Sequence, residues 1–448
     1  METHTLLILT TLFVISQGLD LHKSNVVKKS NVRIDMTWDE ALEEAIRVLE
    51  LYPLVDGHND LPWVYRARLE NDIEQVNLTQ DVNEQWSSEW NPSHTDIPRI
   101  REGRLGAQFW SVYMSCANQY KDAVRATLEQ IDVARRMIER YSDDFEFVTT
   151  ADGIEEAFEN GKIGGMMGIE GGHQLDSSLA ALRMFYELGV RYVTLTHSCT
   201  TPWADASPED DNETPTHNGL TDWGRLAVLE MNRIGMLVDL AHVSKPTMLD
   251  TLEVAEAPVI FSHSSAYAVC NHHRNVQDDV LEKVRENGGI VMVTFVGSYL
   301  QCFPSEDKAL NVSLVADHID HIVDVAGIDH VGIGGDYDGF TGVPEGLEDV
   351  SKYPNLFAEL VLRGWSEADR KKLAGENLVR VFREVEAVKN QKAAAGETAI
   401  NDWISWDDLG NADTSCRVGG PQTDAAPLAH DVMSMFTMAS LAILYMVL

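Results

Sequence analysis

The most restrictive feature of this 448-residue sequence is a series of short apolar segments that alternate with helical patterns. The apolar segments are continuous in Val, Ile, Leu and Met, which is typical of parallel strands buried on both faces. Strands are predicted over residues 53–55, 163–169, 191–196, 235–240, 258–262, 289–295 and 330–333. Helices are predicted over residues 178–188, 222–234, 245–252, 278–287, 314–326 and 366–385. This alternation indicates an α/β fold, either a doubly wound sheet or a closed barrel.

Polar residues at the ends of the predicted strands favour the barrel. Potential ligands follow six of these strands, namely His58 with Asp60, Glu170, His197, His242, His263 and Asp336. In a barrel the carboxyl ends of all strands converge on one mouth, whereas an open sheet brings together only the strands beside its switch point. The sequence therefore predicts a single-domain (β/α)8 TIM-type barrel of the metal-dependent hydrolase kind.

The types of these polar residues favour a zinc site. His58 and Asp60 are two positions apart, so that both side chains point to the same side of an extended segment. Glu170 ends an apolar strand, where a buried carboxylate needs a cation or a metal as its partner. Imidazole and carboxylate together suit zinc, and a shared Glu could bridge two ions. For any one of these residues, a hydrogen-bonded surface pair or a satisfied core histidine is the alternative.

Composition and the remaining motifs exclude several classes of function. With 71 acidic and 35 basic residues, the chain has a formal charge of -36, which argues against nucleic-acid binding. The glycine-rich segment 332–339 has Tyr337 where a dinucleotide fingerprint needs its third glycine, and it does not fit a calcium loop. H-E-x-x-H, G-x-S-x-G and P-loop motifs do not occur in the sequence.

The two ends of the chain have the pattern of processing signals. Residues 1–18 are predicted to be a secretory signal peptide, because residues 6–16 are apolar and small residues follow. The apolar run 432–448 predicts a GPI-attachment propeptide over residues 425–448, with a tail-anchored helix as the alternative. Attachment is predicted at Asp424, with Gly419 or Gly420 as alternative sites. The barrel domain is then expected over residues 19–410 and a stalk over residues 411–424.

Sequons and cysteines agree with a secretory route. Sequons at Asn77, Asn212 and Asn311 are candidate glycosylation sites. The five cysteines would lie in an oxidising compartment, and an odd number leaves one outside the internal pairs. Cys416 follows the last periodic segment, so it is predicted to bridge two chains while the other four form two internal bonds.

Several motifs resemble the membrane dipeptidases, also called renal dipeptidases. These motifs are DGHNDLP at 56–62, GIEGGHQL at 168–175, THSCTTPWAD at 196–205, DLAHVS at 239–244, FSHSSAYAVCNHHRNV at 261–276, GGDYDG at 334–339 and GLEDVSKYP at 346–354. The resemblance runs from about residue 47 to about residue 384. It implies a GPI-anchored, disulfide-linked homodimer on the extracellular face of the plasma membrane, with an amidohydrolase-type barrel and two zinc ions per subunit. The implied activity is the hydrolysis of dipeptides, including those with a C-terminal D-residue, and of cysteinyl-glycine conjugates such as leukotriene D4, and some members open β-lactam rings.

The resemblance also implies a role for each metal ligand. His58 and Asp60 would bind one zinc ion, His242 and His263 the other, and Glu170 would bridge both. A hydroxide held between the two ions would attack the peptide carbonyl, because the ions lower the pKa of bound water.

The residues around the metals are implied to handle the substrate. His197 would stabilise the developing oxyanion, and Arg274 would hold the substrate carboxylate through a forked pair of hydrogen bonds. Asp336 would lie near the substrate amine and move a proton to the leaving nitrogen. The family often has a basic residue before the arginine, and His273 at that position is expected to soften carboxylate binding without removing it.

The resemblance further implies disulfides between Cys116 and Cys199 and between Cys270 and Cys302, with Cys416 linking subunits. Two alternative functions stay open at this point. One is a related metal-dependent amidohydrolase acting on another acyl substrate, for which Arg274 would have no purpose. The other is a catalytically idle surface receptor, although one branch of the family that resembles such a protein replaces the oxyanion histidine, and this chain keeps His197.

Overall fold

A computed structural model describes residues 36–86, 92–302, 309–401, 403–404 and 409. Its strands are β1 (Leu54–Asn59), β2 (Leu105–Tyr113), β3 (Phe145–Phe147), β4 (Ile163–Glu170), β5 (Val190–Thr194), β6 (Leu237–Asp239), β7 (Ile260–Phe261), β8 (Ile290–Val293) and β9 (Val331–Ile333). Eight of them pair in parallel around a closed ring in the order β1, β2, β4, β5, β6, β7, β8 and β9, and β9 pairs back to β1. β3 pairs with the first residues of β4. The predicted (β/α)8 barrel is confirmed.

Helices surround the ring and connect its strands. They are α1 (Trp38–Leu49), α2 (Leu61–Leu69), α3 (Val82–Gln85), α4 (Ile97–Glu102), α5 (Ala123–Arg140), α6 (Ala151–Glu159), α7 (Leu179–Glu187), α8 (Asp222–Ile234), α9 (Lys245–Val254), α10 (Asp278–Asn287), α11 (Gly297–Leu300), α12 (Val312–Ala326), α13 (Tyr353–Leu362), α14 (Glu367–Lys371) and α15 (Asn377–Ala394). Many begin at a Ser, Thr or Asn whose side chain accepts a hydrogen bond from the third helical N–H, as Thr221 does for α8 and Ser244 for α9.

The helix predicted over residues 366–385 is present, but it contains a π-helical turn and continues to Ala394. The structure has α14, a π-helical turn over Lys372–Glu376 and then α15. The turn lies against the barrel, where a Cβ atom on Gly375 would come within 2.5 Å of the Pro53 carbonyl oxygen. The π-helical turn has one residue more than an α-helical turn, and its backbone lies close to the residue that precedes β1.

β2 is a barrel strand that the apolar pattern did not predict. Its sequence LGAQFWSVY contains Gln108 and Ser111, and both side chains are completely buried. Gln108 Nε2 donates to Asp56 Oδ1 at 2.9 Å, and Ser111 Oγ donates to Glu170 Oε2 at 3.2 Å. These polar residues support the mouth of the barrel and interrupt the apolar run on which the strand prediction depends.

In the part of the chain that the structure describes, no helix combines the length and apolar character needed to cross a membrane. The predicted signal peptide, stalk and GPI propeptide, with Cys416 and Asp424, lie outside the described residues.

Candidate metal centre

The mouth of the barrel gathers the polar residues that were predicted at strand ends. His58 is in β1, and Glu170 is the last residue of β4. His242 and His263 follow β6 and β7 within three residues, and Asp336 follows β9 at the same distance. All of these strands run in parallel, so that the continuous apolar segments end in one plane of polar side chains.

Glu170 lies at the centre of this plane, and its two carboxylate oxygens face different groups. Oε1 is 3.0 Å from His242 Nε2, 3.4 Å from His263 Nε2 and 3.8 Å from His197 Nε2. Oε2 is 3.5 Å from His58 Nε2 on the other side. One carboxylate therefore lies between His58 on one side and three imidazoles on the other.

Two further carboxylates complete the Oε2 side. His58 Nε2 is 3.3 Å from Asp60 Oδ2 and 3.9 Å from Asp336 Oδ1. Three groups at the mouth have ligand atoms within 4.8 Å of one another, namely His58 with Glu170 and His263, Glu170 with His197 and His242, and His58 with Asp60 and Asp336. This spacing is suitable for metal ions that share ligands.

The imidazole atoms that face Glu170 include two buried atoms without hydrogen-bond partners. His58 Nε2 and His263 Nε2 are buried and accept or donate no hydrogen bond among the described residues. His58 Nδ1 lies 2.8 Å from the hydroxyl of Tyr192, which donates to the Gly57 carbonyl oxygen at 3.3 Å. When this hydroxyl donates to Gly57, a neutral His58 ring donates from Nδ1 and keeps a lone pair on Nε2. Burial opposes protonation of this ring, but Tyr192, Glu170 and Asp60 raise the pKa of His58 well above its usual value, so that a bound metal would replace the second proton. Such a lone pair is what a metal ion requires, so the residues fit a metal.

The Tyr192 ring reaches His58 because Gly168 in β4 has no side chain where the ring passes. A Cβ atom at Gly168 would overlap the Tyr192 ring, so that glycine is needed at this position. The backbone of β1 is fixed from the other side by Asp56, which accepts hydrogen bonds from His58 N and Gly335 N, each at 2.8 Å. The buried carboxylate of Asp56 thus joins the strand ends that carry His58 and Asp336.

The pKa values of two buried carboxyl groups at the site, those of Glu170 and Asp336, are shifted in opposite directions. Burial opposes ionisation of Glu170, but the neighbouring imidazoles hold the pKa of its carboxyl well below its usual range. Burial raises the pKa of Asp336 well above its usual range, and the nearby carboxylates act in the same direction. Burial also lowers the pKa of His242 and His263 well below the ordinary histidine value, which favours neutral imidazoles.

Two residues of the site have left-handed backbone. His242 and Asp336 have φ angles of 66° and 64°, in the left-handed region that non-glycine residues rarely occupy. Surrounding contacts hold both conformations, since Ser207 N donates to His242 O at 2.7 Å and Asp336 N donates to His58 O at 3.1 Å. These two are among ten described non-glycine residues with a positive φ, and both face the candidate site.

Arg274 has unused hydrogen-bonding capacity beside the cluster. Its side chain is buried, with 4% of the residue exposed, and Nε and Nη1 have no hydrogen-bond partner among the described residues. Nη2 donates to the His263 carbonyl oxygen at 3.4 Å, and the guanidinium carbon lies 5.1 Å from the centre of the Tyr299 ring. His273 lines a separate cavity, and its Nδ1 is 2.9 Å from Ser207 Oγ.

A cavity of about 370 Å³ opens above the cluster. Its walls include Asp60, Glu170, His197, His242, Asp336 and the aromatic residues Trp63, Tyr113, Tyr299 and Phe340. The Tyr113 ring packs edge-on against Trp63 at 4.9 Å and lies 4.8 Å from the His197 ring. The volume is within the range of small-molecule sites.

The structure contains both internal disulfides that the resemblance implies. Cys116 and Cys199 are bonded with a Cα separation of 6.0 Å, and Cys270 and Cys302 with one of 5.2 Å. The first bond lies against the site, because Cys116 Sγ is 3.8 Å from His197 Nδ1.

The three sequons lie on other parts of the surface. Asn212 is exposed, and Asn77 and Asn311 are partly exposed. Asn311 also caps α12, with its side-chain oxygen accepting from Leu314 N.

Sequence reasoning found the ligand candidates but missed the residues that hold them. Tyr192 and Ser111 lie inside strands, and Asp239 and Ser262 lie at strand ends without suggesting a role of their own. Tyr299, which contacts Arg274, was missed as well. Only the register between neighbouring strands brings these side chains to the ligands, and a single sequence contains no signal for that register.

Comparisons with known proteins agree with this arrangement. The model of the membrane dipeptidase family, peptidase family M19, matches residues 42–396. Dipeptidase 3 of Mus musculus is 48% identical over 350 residues, which is 78% of this chain and 68% of the mouse protein, and that of Rattus norvegicus is 49% identical with the same coverage. A metallopeptidase structure from Rhodobacter sphaeroides, liganded with a phosphinate mimic of the dipeptide L-Ala-D-Ala, is 27% identical with a TM-score of 0.63, covering 75% of this chain and 99% of that one. The chain therefore belongs to the membrane dipeptidase family and is a metallopeptidase of the dipeptidase type.

Proposed function

We propose that the chain is a zinc-dependent hydrolase of free dipeptides that acts at the barrel mouth through two metal ions. The observation that carries the proposal is the position of Glu170, whose Oε2 faces His58 and whose Oε1 faces His242 and His263. Arg274, with two unpaired buried donors, lies beside the same cluster. A metal centre next to a buried cation for a carboxylate suits a substrate that has both a peptide bond and a free carboxyl end.

Each side of Glu170 would hold one zinc ion. His58 and Asp60 would bind the first ion together with Oε2, and His242 and His263 would bind the second together with Oε1. Nitrogen and oxygen donors in this mixture suit zinc better than calcium or magnesium, which prefer oxygen donors alone. When bound, two zinc ions supply an activated water near neutral pH and polarise the peptide carbonyl.

The other residues would act on the substrate. His197 lies at the cavity wall, where it can donate a hydrogen bond to the carbonyl oxygen as negative charge develops on it. Asp336 lines the same cavity, with Oδ1 3.9 Å from His58 Nε2, where it would move a proton to the leaving amine. The two groups would thus act on the oxygen and the nitrogen of the same peptide bond.

Arg274 would select dipeptides over longer peptides. A guanidinium with free Nε and Nη1 donors can bind a carboxylate through two parallel hydrogen bonds. In a dipeptide the free carboxylate is one residue away from the scissile bond, so that both groups reach the site together. A longer peptide would place an uncharged amide at this position and leave the guanidinium unpaired in a buried site.

The range of substrates proposed here includes dipeptides with a C-terminal D-residue, cysteinyl-glycine conjugates such as leukotriene D4, and some β-lactam rings. Similarity to the Rhodobacter metallopeptidase that holds a mimic of L-Ala-D-Ala supports the first class. The aromatic walls of the cavity, Trp63 and Tyr113, support substrates with apolar side chains.

The direct test is a substrate panel on the purified full chain. We expect cleavage of L-L and L-D dipeptides, loss of activity on chelation, and recovery when zinc is added back. Dipeptides blocked at the carboxyl end should be poor substrates. Hydrolysis of blocked and free dipeptides at equal rates would favour the related amidohydrolase with another acyl substrate. No cleavage of any free dipeptide by zinc-loaded protein would favour the idle receptor.

We further propose that the mature protein is a GPI-anchored, glycosylated homodimer outside the cell. In this proposal residues 1–18 and 425–448 are removed, lipid is attached at Asp424 or at Gly419 or Gly420, and Cys416 in the stalk (411–424) links two barrel domains (19–410). Phosphatidylinositol-specific phospholipase C should release the protein from cells, and reduction should halve its apparent mass on gels. Retention on the membrane would favour a tail-anchored helix.

A further inference from the structure

We propose that Asp239 and Ser262 are positioning residues that fix the tautomer of His263 and direct its Nε2 lone pair toward the metal beside Glu170 Oε1. The proposal rests on the metal-binding role proposed above. Neither Asp239 nor Ser262 lines the mouth cavity. Their effect would pass through the imidazole of His263.

Four donors converge on the Asp239 carboxylate at the end of β6. Oδ1 accepts from Ser262 N at 2.8 Å and from Ala241 N at 3.1 Å. Oδ2 accepts from Ser262 Oγ at 2.6 Å and from Thr194 Oγ1 at 2.5 Å. Because all four partners donate to it, the carboxylate acts as a fixed acceptor in a completely buried position.

The Ser262 hydroxyl lies between Asp239 and His263 and determines which imidazole nitrogen carries the proton. A serine hydroxyl has one hydrogen, and the short contact to Asp239 uses it. The 2.8 Å contact between Ser262 Oγ and His263 Nδ1 therefore has the imidazole as its donor. With its proton on Nδ1, a neutral imidazole keeps its lone pair on Nε2, the buried atom that lies 3.4 Å from Glu170 Oε1.

The same carboxylate also affects the second histidine on this side. Ala241, whose N–H donates to Asp239, directly precedes His242 with its left-handed backbone. Asp239 therefore joins the strand ends that carry both ligands of the Oε1 side. Metal-binding histidines commonly donate their second nitrogen to a carboxylate or a carbonyl, and here a serine hydroxyl is inserted between the two groups.

Three variants separate this role from ordinary core stability. Ser262→Ala removes the acceptor of His263 Nδ1. Asp239→Asn reverses the donors and acceptors of these two hydrogen bonds. The amide would donate to Ser262 Oγ, and the serine hydroxyl would then donate to His263 Nδ1. The imidazole proton would therefore move to Nε2. Thr194→Val is the matched control, because it deletes a hydroxyl bonded to the same Oδ2 atom and leaves His263 untouched.

The measurement is zinc affinity of the full chain by competition with a chromophoric chelator, together with the visible spectrum of the cobalt-substituted protein. We expect Ser262→Ala to weaken one of two sites by about 10–100-fold and to change the cobalt spectrum. Asp239→Asn should weaken that site at least as much. Thr194→Val should keep both the affinity and the spectrum of the unmodified protein.

The outcomes also separate this proposal from the proposed function. Absence of zinc binding by the unmodified protein would overturn both proposals. Two bound ions in the unmodified protein, with Ser262→Ala and Thr194→Val indistinguishable, would overturn only the positioning role. Loss of the native far-UV circular dichroism signal in Ser262→Ala and Asp239→Asn would also overturn it, because the pair would then be structural.

Discussion

The two sides of Glu170 differ both in their ligands, a histidine with an aspartate against two histidines, and in the way these ligands are held. On the Oε2 side, His58 and Asp60 are two residues apart at the end of β1, and the Tyr192 hydroxyl fixes the His58 ring. On the Oε1 side, His242 and His263 follow two different strands. The first pair depends on local sequence, and the second pair depends on barrel closure.

The support behind the rings differs as well. His58 and His263 each have a hydroxyl on Nδ1, from Tyr192 and Ser262 respectively. His242 Nδ1 is buried and has no hydrogen-bond partner among the described residues, and its backbone is left-handed. We infer that the Oε1 side has less preorganised ligands, so that zinc should leave this side first during chelation.

The largest effect is expected from Glu170→Gln, which acts on both sides at once. The amide keeps the shape of the side chain but brings an NH₂ group, which cannot ligate a metal, to one of the two sides. Loss of a metal that stabilises the transition state by several kcal/mol corresponds to a fall in kcat of about 10³-fold or more. Steady-state kinetics with metal analysis checks this prediction. A variant with full zinc content and unchanged kcat would show that Glu170 is not shared.

Arg274→Ala should affect substrate binding without changing either metal side. Loss of a charged, bidentate hydrogen bond of about 3 kcal/mol predicts a rise in KM of about 100-fold with two zinc ions still bound. His273→Ala is the control, since His273 lines a separate cavity, and we expect a change in KM of only a few-fold. Equal effects of the two substitutions would contradict the assignment of the carboxylate site.

Tyr192→Phe tests the support of the Oε2 side. Removing the hydroxyl leaves His58 Nδ1 without its partner, and we expect the affinity for one zinc ion to fall about tenfold. Tyr141→Phe is a matched control, because it deletes a buried hydroxyl that donates to Val76 O away from the mouth. If the site weakened by Tyr192→Phe is the one weakened by Ser262→Ala, the division into two sides is wrong.

The smallest effect is expected for His173, a buried histidine that is not a proposed ligand and that affects the pH dependence of stability. Its Nε2 lies 2.9 Å from Met114 O, and burial lowers its pKa to about 4. A histidine with a lowered pKa stabilises the fold above its unfolded value near 6.5. This stability is lost progressively as the pH falls from that unfolded value to the folded pKa.

At pH 5.5 this loss amounts to about 1.4 kcal/mol for the metal-free protein. His173→Gln, whose amide can still donate to Met114 O, should lose correspondingly less stability than the unmodified protein between pH 7.5 and 5.5. Chemical denaturation at the two pH values measures the difference. Equal losses in the variant and the unmodified protein would mean that His173 does not take up a proton on unfolding at pH 5.5.

Much of the fold was predictable because its strands are continuous apolar runs. β4 and β5 were predicted to within two residues, and α8 and α10 were predicted with their observed bounds. β2 was missed because Gln108 and Ser111 point at buried carboxylates and break its apolar pattern. Prediction by hydrophobic pattern therefore fails at a strand whose polar residues support the site.

The candidate site was predictable for a similar reason. A His, Asp or Glu that directly follows a buried strand is exceptional, and six such strand ends indicate a shared mouth. Arg274 lies in a loop after β7 and was assigned only through the resemblance to the dipeptidases. Tyr192 and Ser262 could not be predicted, because their roles depend on strand register and on hydroxyl direction.

The most direct test of the central claim is anomalous X-ray scattering at the zinc edge from crystals of the zinc-loaded protein. We predict two peaks per chain, about 3.5–4 Å apart, on either side of the Glu170 carboxylate. One should lie about 2.0–2.2 Å from His58, Asp60 and Oε2, and the other at the same distance from His242, His263 and Oε1. A single peak, or two peaks that do not share Glu170, would contradict the account.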